Sequence, residues 1–122
     1  MYRIIVDVKS RKPIYEQLVD SVKASVVNGF MKSDEPLPSV RQLAGELAIN
    51  PNTIQKAYAE LERQGIVYSV PGKGSFVSSN VKEVKDAHKN EILARIEELA
   101  VQARDGGVSK EEIIAAINKS WR

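Results

Sequence analysis

Cysteine is absent from the 122 residues, which excludes disulfides, a thiolate zinc site and a cysteine nucleophile and leaves no redox clue to compartment. Histidine occurs once, at His88. A lone imidazole without cysteine or acidic ligands beside it makes a poor metal site, so His88 is read as a core or interface residue, and no metal or cofactor is expected. No apolar run approaches the length that spans a bilayer, and the opening MYRIIVDVKSRK turns charged too soon for a signal peptide. A cytoplasmic chain without a membrane partner is the expectation. No nucleophile is accompanied by a base and an orienting group, and the Gly72-Lys73-Gly74 turn lacks the Ser/Thr and helix that follow a nucleotide-binding loop. Catalysis therefore finds no support.

A strong charge of either sign is missing too: the net charge is +2. Residues 1–80 hold ten Lys/Arg and eight Asp/Glu, whereas 81–122 hold eight of each, so the excess lies entirely in the first part. With 28% charged and 43% hydrophobic residues, the composition is that of a soluble globular chain. Its length allows one domain, or a small domain with an appendage, around a modest core.

The most informative stretch runs from Leu37 to Val77. Ser39 stands three residues before Gln42, the spacing of a capping box, and opens a helix to about Leu47. Ala48, Ile49 and Asn50 make a turn, after which Asn50-Pro51 supplies an N-cap and a proline at the first helical position. In the second helix Ile54, Ala57, Tyr58 and Leu61 form an apolar face, and Asn52, Gln55 and Lys56 lie opposite with the small Ala59 one turn on. Gly65 ends this helix. Ile66 to Val70 reads as a strand, 71–74 as a turn and Ser75 to Val77 as its return. The pattern is a helix-turn-helix followed by a wing, and its polar stripe suits the DNA major groove.

Ahead of it, Ile4-Ile5-Val6 and Val8 suggest a short edge strand. Tyr15, Leu18, Val19, Val22 and Val26 mark a helix from Pro13 to Asn28, stopped by Gly29. After it, Val81, Val84, His88, Ile92, Ile96, Leu99 and Ala103 predict one long helix to about Arg104. Gly106-Gly107 breaks the pattern. Ser109 with Glu112 forms a second capping box, Val108 and Ile113 are spaced for a staple, and Ile113, Ile114, Ile117 and Trp121 line a last helix. Two helices make a poor core alone, so a partner surface is implied, most simply a second copy through 81–121. The expected architecture is mainly α with a small β-hairpin wing, divided into a winged helix-turn-helix domain at 1–79 and a helical dimerisation or effector segment at 80–122.

Five motifs, Pro13-Ile14-Tyr15-Glu16-Gln17, Leu37-Pro38-Ser39-Val40-Arg41, Asn50-Pro51-Asn52-Thr53, Ala57-Tyr58 through Leu61-Glu62, and Gly72-Lys73-Gly74-Ser75-Phe76-Val77, stand in order. Together they resemble the DNA-binding domain of GntR-family transcriptional regulators, and the brief helical tail is similar to the YtrA-type subfamily, whose C-terminal helices serve chiefly for dimerisation. The resemblance implies a sequence-specific regulator, a repressor by preference, that binds a pseudo-palindromic operator as a homodimer. About forty residues after the wing are too few for the pocketed effector domains of other subfamilies, so an effector would act at the helical junction or the dimer interface.

By its motif Arg41 is carried over as a DNA contact, the alternative being a surface helix residue. Asn52 and Thr53 occupy the first turn of the recognition helix, where side chains and N–H groups can face DNA or simply cap. Asn52 and Gln55 carry the amide fork suited to adenine; Lys56 suits phosphate or guanine, or else solvent. Lys73, between Gly72 and Gly74, is placed at the minor groove, because the glycines permit close backbone approach. Arg11 and Lys12 are phosphate contacts or part of a solvated linker, and the residues favour the linker. Where the family commonly has Pro-Gly-Asp and a basic residue before Leu-Pro-Ser, this chain has Ser33-Asp34-Glu35-Pro36, so no phosphate contact is expected in that loop. Tyr58 and Tyr68 are expected in the core. A winged helix serving as a protein-interaction module is the competing reading, kept open by the near-neutral charge and by Asp34-Glu35.

Overall fold

The computed structural model describes residues 4–122, so the first three positions of the domain expected at 1–79 lie outside it. In chain order the elements are α1 (Ile14–Val27), α2 (Val40–Leu47), α3 (Pro51–Arg63), β1 (Val67–Val70), β2 (Gly74–Val77), α4 (Val81–Asp105) and α5 (Lys110–Ser120). Two compact units result, one running through Asp86 and the other Ala87–Arg122. The division falls inside α4 because Val81 and Val84 pack against the first unit's core.

That core is built on α3. Ile54, Ala57 and Leu61 are fully buried, and α1 contributes Leu18, Val22 and Val26 from its own apolar stripe. Each of the Ile, Leu and Val side chains among these contributes about 1.5–3 kcal/mol by leaving water. Tyr58 joins the core as expected and donates its hydroxyl to the Pro38 carbonyl at 2.8 Å, which fixes α3 against the start of α2.

Local chemistry explains the helix ends. Ser39 Oγ accepts from the Gln42 N–H at 3.0 Å, but the return half of the capping box is not made; the Gln42 amide instead donates to Glu46, one turn on, at 3.2 Å. At α5 both halves form, since Glu112 has no such competitor and reaches back to the Ser109 N–H. Asn50 Oδ1 caps α3 by accepting from the Asn52 N–H at 2.9 Å, with Pro51 at the first position. Gly65, at φ +75°, closes α3 while the Ile66 N–H bonds back to the Leu61 carbonyl.

The edge strand expected at residues 4–8 does not form. Its backbone is claimed by a side chain: Gln17 accepts from the Asp7 N–H at 2.7 Å and donates to the Asp7 and Lys12 carbonyls at 2.9 and 2.8 Å. Ile4 alone of that run is buried. The strand partner comes from elsewhere. Residues 34–37 lie along the outer edge of β2, with Asp34 N–H to Val77 O, Val77 N–H to Glu35 O and Leu37 N–H to Ser75 O, all at 2.8–2.9 Å. A two-stranded hairpin is marginal by itself, and these bonds, together with the packing of β1 on α3, hold the wing to the helices.

Candidate nucleic-acid interface

Helical geometry puts the expected reading side chains on one face. At 100° per residue Asn52, Gln55, Lys56 and Ala59 share a stripe opposite Ile54, Ala57 and Leu61; the first four are exposed and the last three buried. Thr53 stands at the flank, half-buried. The N–H groups of this first turn are occupied rather than offered: Asn50 Oδ1 takes that of Asn52, and the Asn50 carbonyl takes that of Thr53 at 3.0 Å. Of this turn and the next, the side chains of Asn52, Gln55 and Lys56 are left exposed.

Arg41 is exposed in the first turn of α2, three residues after Pro38, whose carbonyl Tyr58 of α3 holds. Lys56 is not simply solvated. Its ammonium lies 3.9 Å from the centroid of the Tyr15 ring on α1, a cation–π contact. Lys73 is exposed at the wing tip, where Gly72 and Gly74 take φ +77° and +114° and the Lys73 N–H closes the turn onto the Val70 carbonyl.

The basic segment before α1 is an exposed, compact turn. Asp7 caps it through Oδ1 to the Lys9 N–H and through its carbonyl to the Ser10 N–H, and Gln17 holds the far side. Within it Arg11 is exposed and Lys12 is ion-paired with Asp20. The structure thus joins α3 to the segment that leads into α2 through the Tyr58–Pro38 hydrogen bond and Lys56 to α1 through a ring, while Arg11 and Lys12 sit on a separate turn at the start of α1.

Two contributors escaped the sequence reading. Gln17 was read only as part of a motif, yet it organises the basic turn. Asp34 occupies the position where the family pattern has glycine, and its backbone keeps the glycine-like left-handed conformation at φ +63°. Aspartate tolerates that conformation better than most residues. Its Oδ1 accepts from Ser79 Oγ at 2.5 Å and from the Tyr68 hydroxyl at 2.7 Å. These bonds, Ser79's first and Tyr68's second, hold the Asp34 carboxyl below the usual carboxylate range, and the same carboxylate pushes the Tyr68 phenol up. Tyr68 is therefore not a core residue: it is half-exposed and stacks on Phe76 across the hairpin, with centroids 5.6 Å apart.

In the second unit no residue of α4 or α5 is buried. Ile96, Leu99, Ala103, Val108, Ile113, Ile117 and Trp121 line an apolar groove of about 510 Å³ between the end of α4 and α5. His88 Nδ1 is shielded without a hydrogen-bond partner. Among the described residues no acidic or histidine cluster could hold a metal, and no helix is long and apolar enough to cross a membrane.

Residues 14–77 match the gntR family of bacterial regulatory proteins. The chain belongs to that family. Its winged helix-turn-helix is accordingly a DNA-binding, transcription-regulating domain. The HTH-type transcriptional repressor YtrA of Bacillus subtilis is 39% identical over 111 residues, covering 90% of this chain and 85% of YtrA. A match of that length reaches beyond the wing into the helical tail, and the GntR chain is of the YtrA type. A GntR family transcriptional regulator from Listeria monocytogenes superposes with a TM-score of 0.76 at 37% identity, over 95% of this chain and 100% of that one. The AraR DNA-binding domain, solved in complex with operator ORE1, is 27% identical with a TM-score of 0.54, over 64% of this chain and 95% of that domain.

Proposed function

We propose that this GntR regulator is a homodimeric repressor that occupies an inverted-repeat operator and blocks transcription by that occupancy. The observation that carries the reading is the exposed stripe of Asn52, Gln55 and Lys56 on a helix whose opposite face is wholly buried. Asn52 and Gln55 read base edges in the major groove, with Thr53 and Lys56 beside them and Arg41 on the flanking phosphates. Gly72 and Lys73 approach the minor groove from the wing. Arg11 and Lys12 serve the phosphates at the edge of the site, Arg11 more freely because Lys12 is engaged by Asp20. The names of YtrA and of the AraR complex support repression and operator binding.

The domain at 1–79 binds DNA, and the helical segment from residue 80 pairs the copies through 81–121. Ile92, Ile96, Leu99, Ile114 and Ile117 are 42–63% exposed in a single chain, which is the stripe a second copy would cover. The protein works in the cytoplasm, without a catalytic step. An effector, where one exists, acts on the α4–α5 segment.

Titrating duplex DNA at several salt concentrations tests the reading. Affinity is expected to fall linearly on a log–log plot, and Lys73→Ala to reduce the slope by about one. Binding indifferent to salt would favour a protein partner for the winged helix instead.

A further inference from the structure

We propose that Asp34 is a positioning residue for the wing: through a single carboxylate oxygen it fixes the direction in which β1 and β2 present Lys73 to DNA. The proposal rests on the wing contact of the preceding reading. Three segments meet at Asp34 Oδ1. One is its own loop between α1 and α2, another is β1 through the Tyr68 hydroxyl, and the third is the junction before α4 through Ser79 Oγ.

The arrangement divides the labour on the hairpin. β2 is tied to residues 34–37 by backbone bonds that do not involve the Asp34 side chain. β1 has no such ladder on its outer side among the described residues, since the sheet has the order β1-β2. Beyond the packing of Val67 into the core, the Tyr68 hydroxyl is the side-chain hydrogen bond that ties β1 to the loop before α2. The Tyr68 ring lies against Phe76, its partner in register, so fixing the hydroxyl also fixes the stacked pair. From Tyr68 the strand runs on to Val70, about 7 Å at roughly 3.3 Å per residue, with the turn that bears Lys73 beyond it, so small play at the tether is carried to Lys73. A bond of 2.7 Å from a hydroxyl to a carboxylate is charge-assisted and well suited to suppress that play.

Because both hydroxyls donate to the same oxygen, asparagine can replace aspartate: its one carbonyl oxygen accepts both, and asparagine tolerates positive φ. Glycine cannot. It relieves the backbone at φ +63° but removes the acceptor. This separates positioning from backbone conformation.

The test uses the full-length chain, titrated over a range of salt on a duplex carrying the inverted repeat it selects. Lys73→Ala is expected to weaken binding about 5–10-fold and to reduce the salt slope by about one. Asp34→Gly should reproduce both effects while circular dichroism stays native, adding Lys73→Ala to it should change little, and Asp34→Asn should restore binding to near wild type. Wild-type affinity and slope in Asp34→Gly, with Lys73→Ala impaired, would overturn the positioning role and leave the wing contact standing. An unimpaired Lys73→Ala would remove the wing contact and the positioning role together. If Asp34→Gly does not fold, Tyr68→Phe, which keeps the ring on Phe76, carries the same two outcomes.

Discussion

The Lys56 ammonium rests 3.9 Å from the centroid of the Tyr15 ring, so a side chain on the exposed stripe of α3 also fastens that helix to α1. A cation held this way is pre-oriented rather than free to sample solvent, which lowers the entropy it must give up on meeting a phosphate or a guanine. A contact at an exposed site of this kind contributes about 0.5–1 kcal/mol. Tyr15→Leu is expected to lose about that much beyond its packing term, and Lys56→Ala to lose little more in the Tyr15→Leu background. Urea unfolding of the two single variants and the double variant checks this; additive losses would show that the ring and the ammonium do not interact.

Ala48 stands at φ 54°, ψ 46° at the end of α2, a left-handed conformation that costs a residue with a Cβ about 1–2 kcal/mol. The sharp turn into Asn50 demands it. Glycine removes that strain at some cost in unfolded-chain entropy, so Ala48→Gly should raise stability by about 0.5–1 kcal/mol. A lower melting temperature in this variant would contradict the assigned turn geometry.

Asp34 and Tyr68 set a pH window. The folded-state carboxyl lies below its unfolded value, so its contribution is complete above about pH 4 and is lost as pH falls through the depressed value. The Tyr68 phenol lies above its unfolded value, so its contribution is complete below about pH 10 and is lost as pH rises through the raised value. Comparing melting temperatures of wild type and Asp34→Asn, the wild-type advantage should be present near neutrality and vanish in acid. An advantage that grows as pH falls would be inconsistent with an ionised Asp34 in the folded state.

Much of this was legible in the residues, and the exceptions share a cause. Spacing located α1 to α5 and the hairpin because apolar periodicity and capping residues act locally. The loop at 34–37 was legible only as a departure from a pattern; that it runs beside β2 depends on Val77 and Ser75, some forty residues away. Likewise the run Ile4 to Val8 has strand composition, but strand formation needs a partner edge, and Gln17 takes its backbone instead. The exposed stripe of α3 followed directly from its buried one. The contact of Lys56 with Tyr15 did not, since nothing in either helix alone fixes how their faces meet.

Asn52 is exposed, and only its main-chain N–H is engaged by the Asn50 cap. Its amide fork is thus available to a base edge. Asn52→Ala is expected to cost about 1–3 kcal/mol on the preferred duplex and much less on random DNA. Parallel titrations on the two duplexes provide the check, and an equal loss on both would remove Asn52 from base readout.

The central claim is two-fold recognition of a defined DNA sequence, and selection of bound duplexes from a random pool at near-physiological salt tests it most directly. A homodimer carrying two winged helices should enrich an inverted repeat whose half-sites are separated by about one helical turn or a multiple of it. A folded, dimeric protein that enriches no repeat would contradict the claim.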